Sequence, residues 1–215
     1  MPNSNISPQE ALRTLKEGNF RFYNNMSMNQ DLLQQVKDTR FRQQPFAVVV
    51  SCMDSRTSAE LIFDLGIGDI FSIRIAGNVI TPGILGSLEY ATAAAGARLI
   101  LILGHTGCGA IKGACDDVRM GNLTGLLEHI KPAIARETTI TENRSSDNEA
   151  FVTAVTHHNI QHSLEEVLAG SEVIRNLLQE GKVGIVTALY DIGNGRIEFF
   201  ENEAVMPEMA TMAGS

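Results

Sequence analysis

Two short stretches hold residue types that can do chemistry together: Cys52-Met53-Asp54-Ser55-Arg56, after a run of valines, and His105-Thr106-Gly107-Cys108, after a run of leucine and isoleucine. Two thiolates and an imidazole suit zinc, a borderline-soft cation, and three protein ligands leave a fourth position for water or substrate. A carboxylate held by a guanidinium beside such a site is a proton-orienting device. The pattern points to a catalytic zinc centre with Cys52, His105 and Cys108 as ligands and Asp54 and Arg56 as attendants. Gly104, Gly107 and Gly109 flank the second stretch and allow close backbone approach. Two blander readings stay open at this level: a closed structural zinc with Asp54 as its fourth ligand, and Cys52 as a packed core residue. A redox pair is weaker, because the chain has no Cys-x-x-Cys.

The elements around these stretches must place them at one end of a sheet. Phe46–Val50 is an apolar, β-branched run of the kind found in strands covered on both faces, and the first stretch starts where it ends. Asp69–Ile75 reads as a second strand broken by Gly77-Asn78, and Arg98–Leu103 as a third, followed directly by the second stretch. Val183–Tyr190 is a fourth, and Asn194-Gly195 before Arg196–Phe200 signals an antiparallel edge strand. Ligand clusters just past strand C-termini are where open α/β sheets form their crevices.

Helices fill the intervals. Ser7-Pro8-Gln9-Glu10 is a capping box opening a helix through Phe22, and a second helix is predicted from Asp31 to about Arg40. Helical spacing predicts further helices over Thr57–Leu65, over Thr81–Ala95 and from Ala110 to Val118. Another covers Leu123–Arg136, kinked at Pro132, and a long one runs to Leu168 before a last helix capped by Ser171. The expected fold is α/β: a mainly parallel central sheet of four strands with an antiparallel edge strand, helices on both faces and an N-terminal helical arm. One domain spans 1–215, with the arm at 1–42, the catalytic core at 43–200 and a tail at 201–215 in which Met206, Pro207, Met209 and Met212 show no pattern.

The 215 residues, 44% of them hydrophobic, are enough for one large core. A net charge of -8 and an isoelectric point near 5.1 argue against nucleic acid or an anionic membrane as partner. Three cysteines make no disulfide framework once two are assigned to a metal, and Cys115 is left as a small packed residue. The first residues lack a secretory pattern and no apolar stretch approaches the roughly 20 residues of a membrane span, so the cytoplasm is the expected compartment.

Together, Cys-x-Asp-x-Arg and His-x-x-Cys resemble the β-class carbonic anhydrases, and the likeness extends over most of the chain, most closely from Gln43 to Lys112. The resemblance implies zinc bound by Cys52, His105 and Cys108, Asp54 and Arg56 as the orienting dyad, and reversible hydration of carbon dioxide to bicarbonate. It also implies that Gln43, Phe71 and Tyr90 line the substrate pocket across a subunit boundary. A homodimer or dimer of dimers follows, with the arm helix wrapping a neighbour. A regulated subgroup closes the zinc with the aspartate and uses a tryptophan nearby. This chain has no tryptophan, and Val49 stands in that place although Arg74 is kept, so the open site is expected and Asp54 is a ligand only in a closed state.

From charge alone, two thiolates offset a divalent ion, which predicts activity rising toward alkaline pH. Gln43 and the Gly109 amide are placed to hold bicarbonate oxygens. His129, His157, His158 and His162 are expected to be packed or solvated helix residues, and Lys112 a surface charge. The competing readings are another linear heterocumulene substrate, such as carbonyl sulfide or carbon disulfide, and a non-catalytic zinc-stabilised binding protein.

Overall fold

A computed structural model describes residues 6–207. Five strands form one sheet in the order β2-β1-β3-β4-β5. β1 (Ala47–Ser51), β2 (Ile70–Arg74), β3 (Leu99–His105) and β4 (Gly184–Tyr190) run parallel, and β5 (Ile197–Phe199) pairs antiparallel to β4. Every residue of β1, β3 and β4 is buried. Their Val, Leu and Ile side chains alternate between two cores, which is why these strands read as continuous apolar runs rather than as alternating ones.

On one face Val49, Leu101 and Val186 pack with Ala11, Leu12 and Leu15 of α1 (Pro8–Tyr23) and with Ile62 of α3 (Ala59–Ile62). On the other, Val48, Val50, Ile100 and Ile102 meet α4 (Pro82–Glu89), α8 (Glu149–Gly170) and α9 (Glu172–Gln179). A third cluster caps the C-terminal end of the sheet. It joins Cys52 and Cys108 to α5 (Gly109–Cys115), α6 (Gly121–Glu128), α7 (Lys131–Arg136) and the first turns of α8.

Several boundaries differ from the sequence reading, each for a local reason. α1 carries the expected capping box between Ser7 and Glu10. Its Ala11 and Leu15 are wholly buried in this chain's own core, and Gly18 is needed there because a Cβ would meet the Phe63 carbonyl at 1.8 Å. Helix α2 (Leu32–Thr39) buries no residue and is tied to the core by Gln35, whose Oε1 accepts from the Ile67 amide at 2.9 Å. α3 is a single turn instead of a helix to Leu65. Asp64 takes a left-handed φ of 49°, and its carboxylate accepts from the Met28 amide and Arg21. Helix α4 continues as a π turn over Tyr90–Ala94, closed by the Ala95 amide on the Tyr90 carbonyl, and ends at left-handed Gly96. The expected kinked helix at Pro132 is two helices. Proline sits in the first turn of α7, where its missing N–H costs nothing.

β3 extends two residues further than predicted, so His105 is its last residue, paired with Tyr190. Val205 bridges back to Ile185, while Met209 and Met212 lie outside the described residues. Among the described residues, no helix is long and apolar enough to cross a membrane.

Candidate metal centre

Strand register assembles the donors. β1 and β3 pair with Ser51 opposite Leu103, so one residue further on Cys52 stands beside Gly104 and next to His105. The chain then turns through Gly107, at φ 64°, and presents Cys108 as the N-cap of α5. The Cys52 Sγ, Cys108 Sγ and a His105 ring nitrogen all lie within 4.8 Å of one another, and all three residues are buried. Gly104 serves a purpose other than the one expected of it: a Cβ there would lie 2.5 Å from Ile160 Cδ1, so it admits helix α8.

Hydrogen bonding fixes which atom of each residue faces the centre. His105 Nδ1 lies 2.9 Å from the Thr106 carbonyl. A carbonyl only accepts, so Nδ1 carries the proton and Nε2 keeps its lone pair. Nε2 is buried with no partner. The Thr106 carbonyl is itself held in place: its residue's amide donates to Tyr190, and its hydroxyl lies between Asp191 Oδ1 at 3.4 Å and the Ile192 amide at 3.2 Å. Cys52 Sγ accepts from the Gly77 amide at 3.4 Å. The Cys52 carbonyl takes the Thr57 hydroxyl at 2.9 Å and Arg74 Nε at 3.3 Å, which pins the 52–57 turn.

The two sulfurs are 3.8 Å apart. Their shared hydrogen bond pulls the Cys52 thiol down to about 4, helped by His105 and the Asp54 and Gly77 amides against the effect of burial. The same bond, together with burial and the Cys52 charge, drives Cys108 upward. The charge of one sulfur thus opposes ionisation of the other, an opposition that a cation bound to both would relieve. Two sulfurs each about 2.3 Å from a tetrahedral zinc stand about 3.8 Å apart. That spacing, the orphaned Nε2 lone pair and the S₂N donor set fit zinc.

Asp54 is not in the donor group. Its carboxylate is gripped by Arg56, Oδ1 accepting from Nε at 2.9 Å and from the Arg56 amide at 3.0 Å, and Oδ2 from Nη2 at 2.7 Å. This bidentate hydrogen bonding holds the Asp54 carboxyl well below the usual carboxylate range, and the guanidinium is raised in turn.

Of the residues expected to line the pocket, Gly109 directly follows the donor Cys108, whereas Phe71 and Tyr90 are not brought together with the donors. Phe71 stands opposite Val48, four residues before Cys52, which is about 13 Å along a strand. It meets the Tyr90 ring edge-on at 6.0 Å between centroids and packs in the α4 and α8 core, apart from the cysteines. Gln43 is exposed ahead of β1, and Gly109, at the start of α5, has open space where a side chain would be.

Of the other histidines, His157 meets the Phe200 ring at a tilt of 46°, His158 faces Glu137, and His162 lies between Glu165 and Glu166. Sequence reasoning did not find Thr57, Thr106 and the role of Gly77. The Gly77 signal was present as a strand breaker, but the target of its amide is set by tertiary contact.

The carbonic anhydrase family profile, described as "Carbonic anhydrase", matches residues 47–197. A carbonic anhydrase of Mycolicibacterium smegmatis is 34% identical over 205 residues, covering 92% of this chain and 95% of that one. Carbonic anhydrase 2 of Mycobacterium tuberculosis is 34% identical, covering 91% and 93%. The fold matches a tetrameric β-carbonic anhydrase of Sordaria macrospora at a TM-score of 0.69 and 24% identity, over 89% of this chain and 97% of that one. The Coccomyxa β-carbonic anhydrase solved with acetazolamide matches at 0.70 and 19% identity, over 88% and 86%. With the strand-end donors, the Asp54–Arg56 pair and these likenesses in agreement, the chain belongs to the β-class carbonic anhydrases.

Proposed function

We propose that the chain hydrates carbon dioxide to bicarbonate at a zinc ion held by Cys52, His105 and Cys108, in a site completed by a second copy of itself. The observation that carries this reading is the buried, unpartnered His105 Nε2 grouped with two buried sulfurs. A zinc ion there supplies the Lewis acidity that makes water a nucleophile. The protein's own part begins with Asp54, kept ionised by Arg56. Its Oδ2 has one donor, Arg56 Nη2, and therefore a lone pair free to accept a hydrogen of the attacking water and aim its oxygen at carbon. The same grip keeps Asp54 out of the donor set, which supports an open site with three protein ligands.

Phe71 and Tyr90 give a small apolar substrate its wall, and the Gln43 side chain and Gly109 amide donate to the product's oxygens. The interval of about 13 Å along β1 and β2 supports a neighbouring copy as the source of the Phe71 and Tyr90 that meet the metal donors. The assembly is a dimer or a dimer of dimers, the domain is a single one over the whole chain, and the partners are small molecules and like chains. Free thiolate ligands fit the reducing cytoplasm.

Stopped-flow hydration with a pH indicator tests the reading. Chelation is expected to abolish the rate and added zinc to restore it, while Cys108→Ser neither retains zinc nor catalyses. A zinc-loaded chain with no rate above buffer at alkaline pH would overturn it.

A further inference from the structure

The turn between β2 and α4 is held from behind. Gly77 and Asn78 are consecutive residues in left-handed backbone, at φ 67° and 45°, and Gly77 is tightly enclosed: a Cβ would meet Ile130 Cδ1 at 2.9 Å and Ala110 Cβ at 3.3 Å. The front of this turn is the Gly77 N–H, which donates to Cys52 Sγ. Its back is two carbonyls turned toward α8. Asn159 Nδ2 donates to the Gly77 carbonyl at 2.9 Å, and Ser163 Oγ to the Asn78 carbonyl at 3.2 Å.

Asn159 and Ser163 are one helical turn apart and each is 1% exposed. Polar side chains buried this deeply on a helix face otherwise lined by Val155, Ile160, Leu164 and Val167 are costly unless fully bonded, and here their bonds go to the turn. Remove the Asn159 amide and the Gly77 carbonyl is left buried without that donor, in a residue with glycine's rotational freedom. The peptide planes on both sides of Gly77 Cα are then free to turn, and the N–H that faces the sulfur turns with them.

We propose that Asn159 is a positioning residue for the metal centre: acting through Gly77, it holds a backbone N–H on Cys52 Sγ and so fixes the orientation and donor strength of that sulfur. The inference rests on the zinc reading above. It assigns a function to α8 beyond packing, because the helix that buries the sheet also sets, through Gly77 about eighty residues earlier, the hydrogen bond to the ligand Cys52. Bonds of this outer kind change metal affinity by about 10–100-fold when lost.

The test uses Asn159→Leu and Asn159→Ala, neither able to donate to the Gly77 carbonyl and changing the side-chain volume in opposite directions. Thr156→Val is the control, since the Thr156 hydroxyl bonds within α8, to the Val152 carbonyl at 2.8 Å, and not to the turn. Zinc affinity is read by competition with a chelator, and the sulfur-to-cobalt charge-transfer band is read in cobalt-substituted protein. Both Asn159 variants are expected to bind zinc about tenfold more weakly. Their band moves to lower energy, because a sulfur without the N–H bond is the better electron donor, and Thr156→Val leaves affinity and band in place. If a folded Asn159 variant keeps both on a wild-type background that binds zinc, or if Thr156→Val moves both equally, this inference falls and the zinc reading stands. A wild-type chain that takes up neither metal overturns both.

Discussion

The C-terminal ends of β1 and β3 and the outer edge of β2 belong to one sheet, a strand apart. At the strand ends every donor is buried, and the groups around them, Thr106 behind His105 and Gly77 behind Cys52, are bonded in turn. Among the described residues, β2 has no neighbouring strand on its outer side. Phe71 is half-buried there, and Tyr90 is 57% exposed. A cleft of about 420 Å³ lies against α1, but it is lined by Gln9, Leu12 and Met206, far in sequence from the donors. The opening beside Phe71 and Tyr90, about 380 Å³, is bordered by Gly83, Gly86 and Ser87, whose small side chains leave the surface low. The difference teaches that the grouped donors are fixed by bonds within one chain, whereas the Phe71–Tyr90 pair lies open at the sheet edge.

Tyr90→Glu is the strongest way to break that comparison. It places a charge on the exposed edge and removes one ring of the Phe71–Tyr90 pair, while the donors lie in a separate cluster. The expected result is a chain that sediments as a monomer, still holds one zinc, and hydrates carbon dioxide no faster than buffer. A zinc-bearing monomer with full activity would show that the pocket is built within one chain.

Asp54→Asn sharpens the comparison from the metal side. The variant keeps the shape of the residue but loses the charge gripped by Arg56, and Asp54 is not one of the grouped donors. Zinc content should therefore hold while kcat falls by about 10²–10⁴, the range of a lost acid–base contribution. Loss of zinc along with activity would instead make Asp54 a ligand and close the site.

What could be read from sequence divides along the same line. The donors and the parallel strands were legible because each depends on local pattern: ligand types at short spacing, and β-branched runs ending where those ligands begin. β3 was placed two residues short because Gly104 resembles a terminator, whereas its lack of a side chain admits Ile160. The helix expected over Thr57–Leu65 failed for a non-local reason: the Asp64 carboxylate is drawn to Arg21 and the Met28 amide, more than thirty residues earlier, and that capture turns the backbone left-handed. Asn159 was invisible for the same kind of reason. On a helical wheel it is a polar residue on a largely apolar face, and only the packed structure shows that it faces Gly77.

The smallest expected effect concerns Glu137, behind the metal-side helices. Its carboxylate accepts from the Thr139 hydroxyl and amide, each at 2.6 Å, and from the Ile140 amide at 2.9 Å. The Thr139 hydroxyl is the largest of the influences that bring its pKa down from 4.5 to about 2, followed by the Ile140 and Thr139 amides and His158. A carboxylate depressed on folding contributes stability that is complete above the unfolded value and lost as pH falls through the folded one. Glu137→Gln should therefore lower Tm by a few degrees at neutral pH and flatten the acid limb of the stability curve between about pH 4.5 and 2. Zinc content and hydration rate at pH 8 should stay at wild-type levels, as measured by thermal melts across that range alongside metal analysis. Because Glu137 shares no bond with the donors or with the β2 edge, a fall in zinc content would mean that the preorganised centre reaches further into α7 and α8 than Asn159.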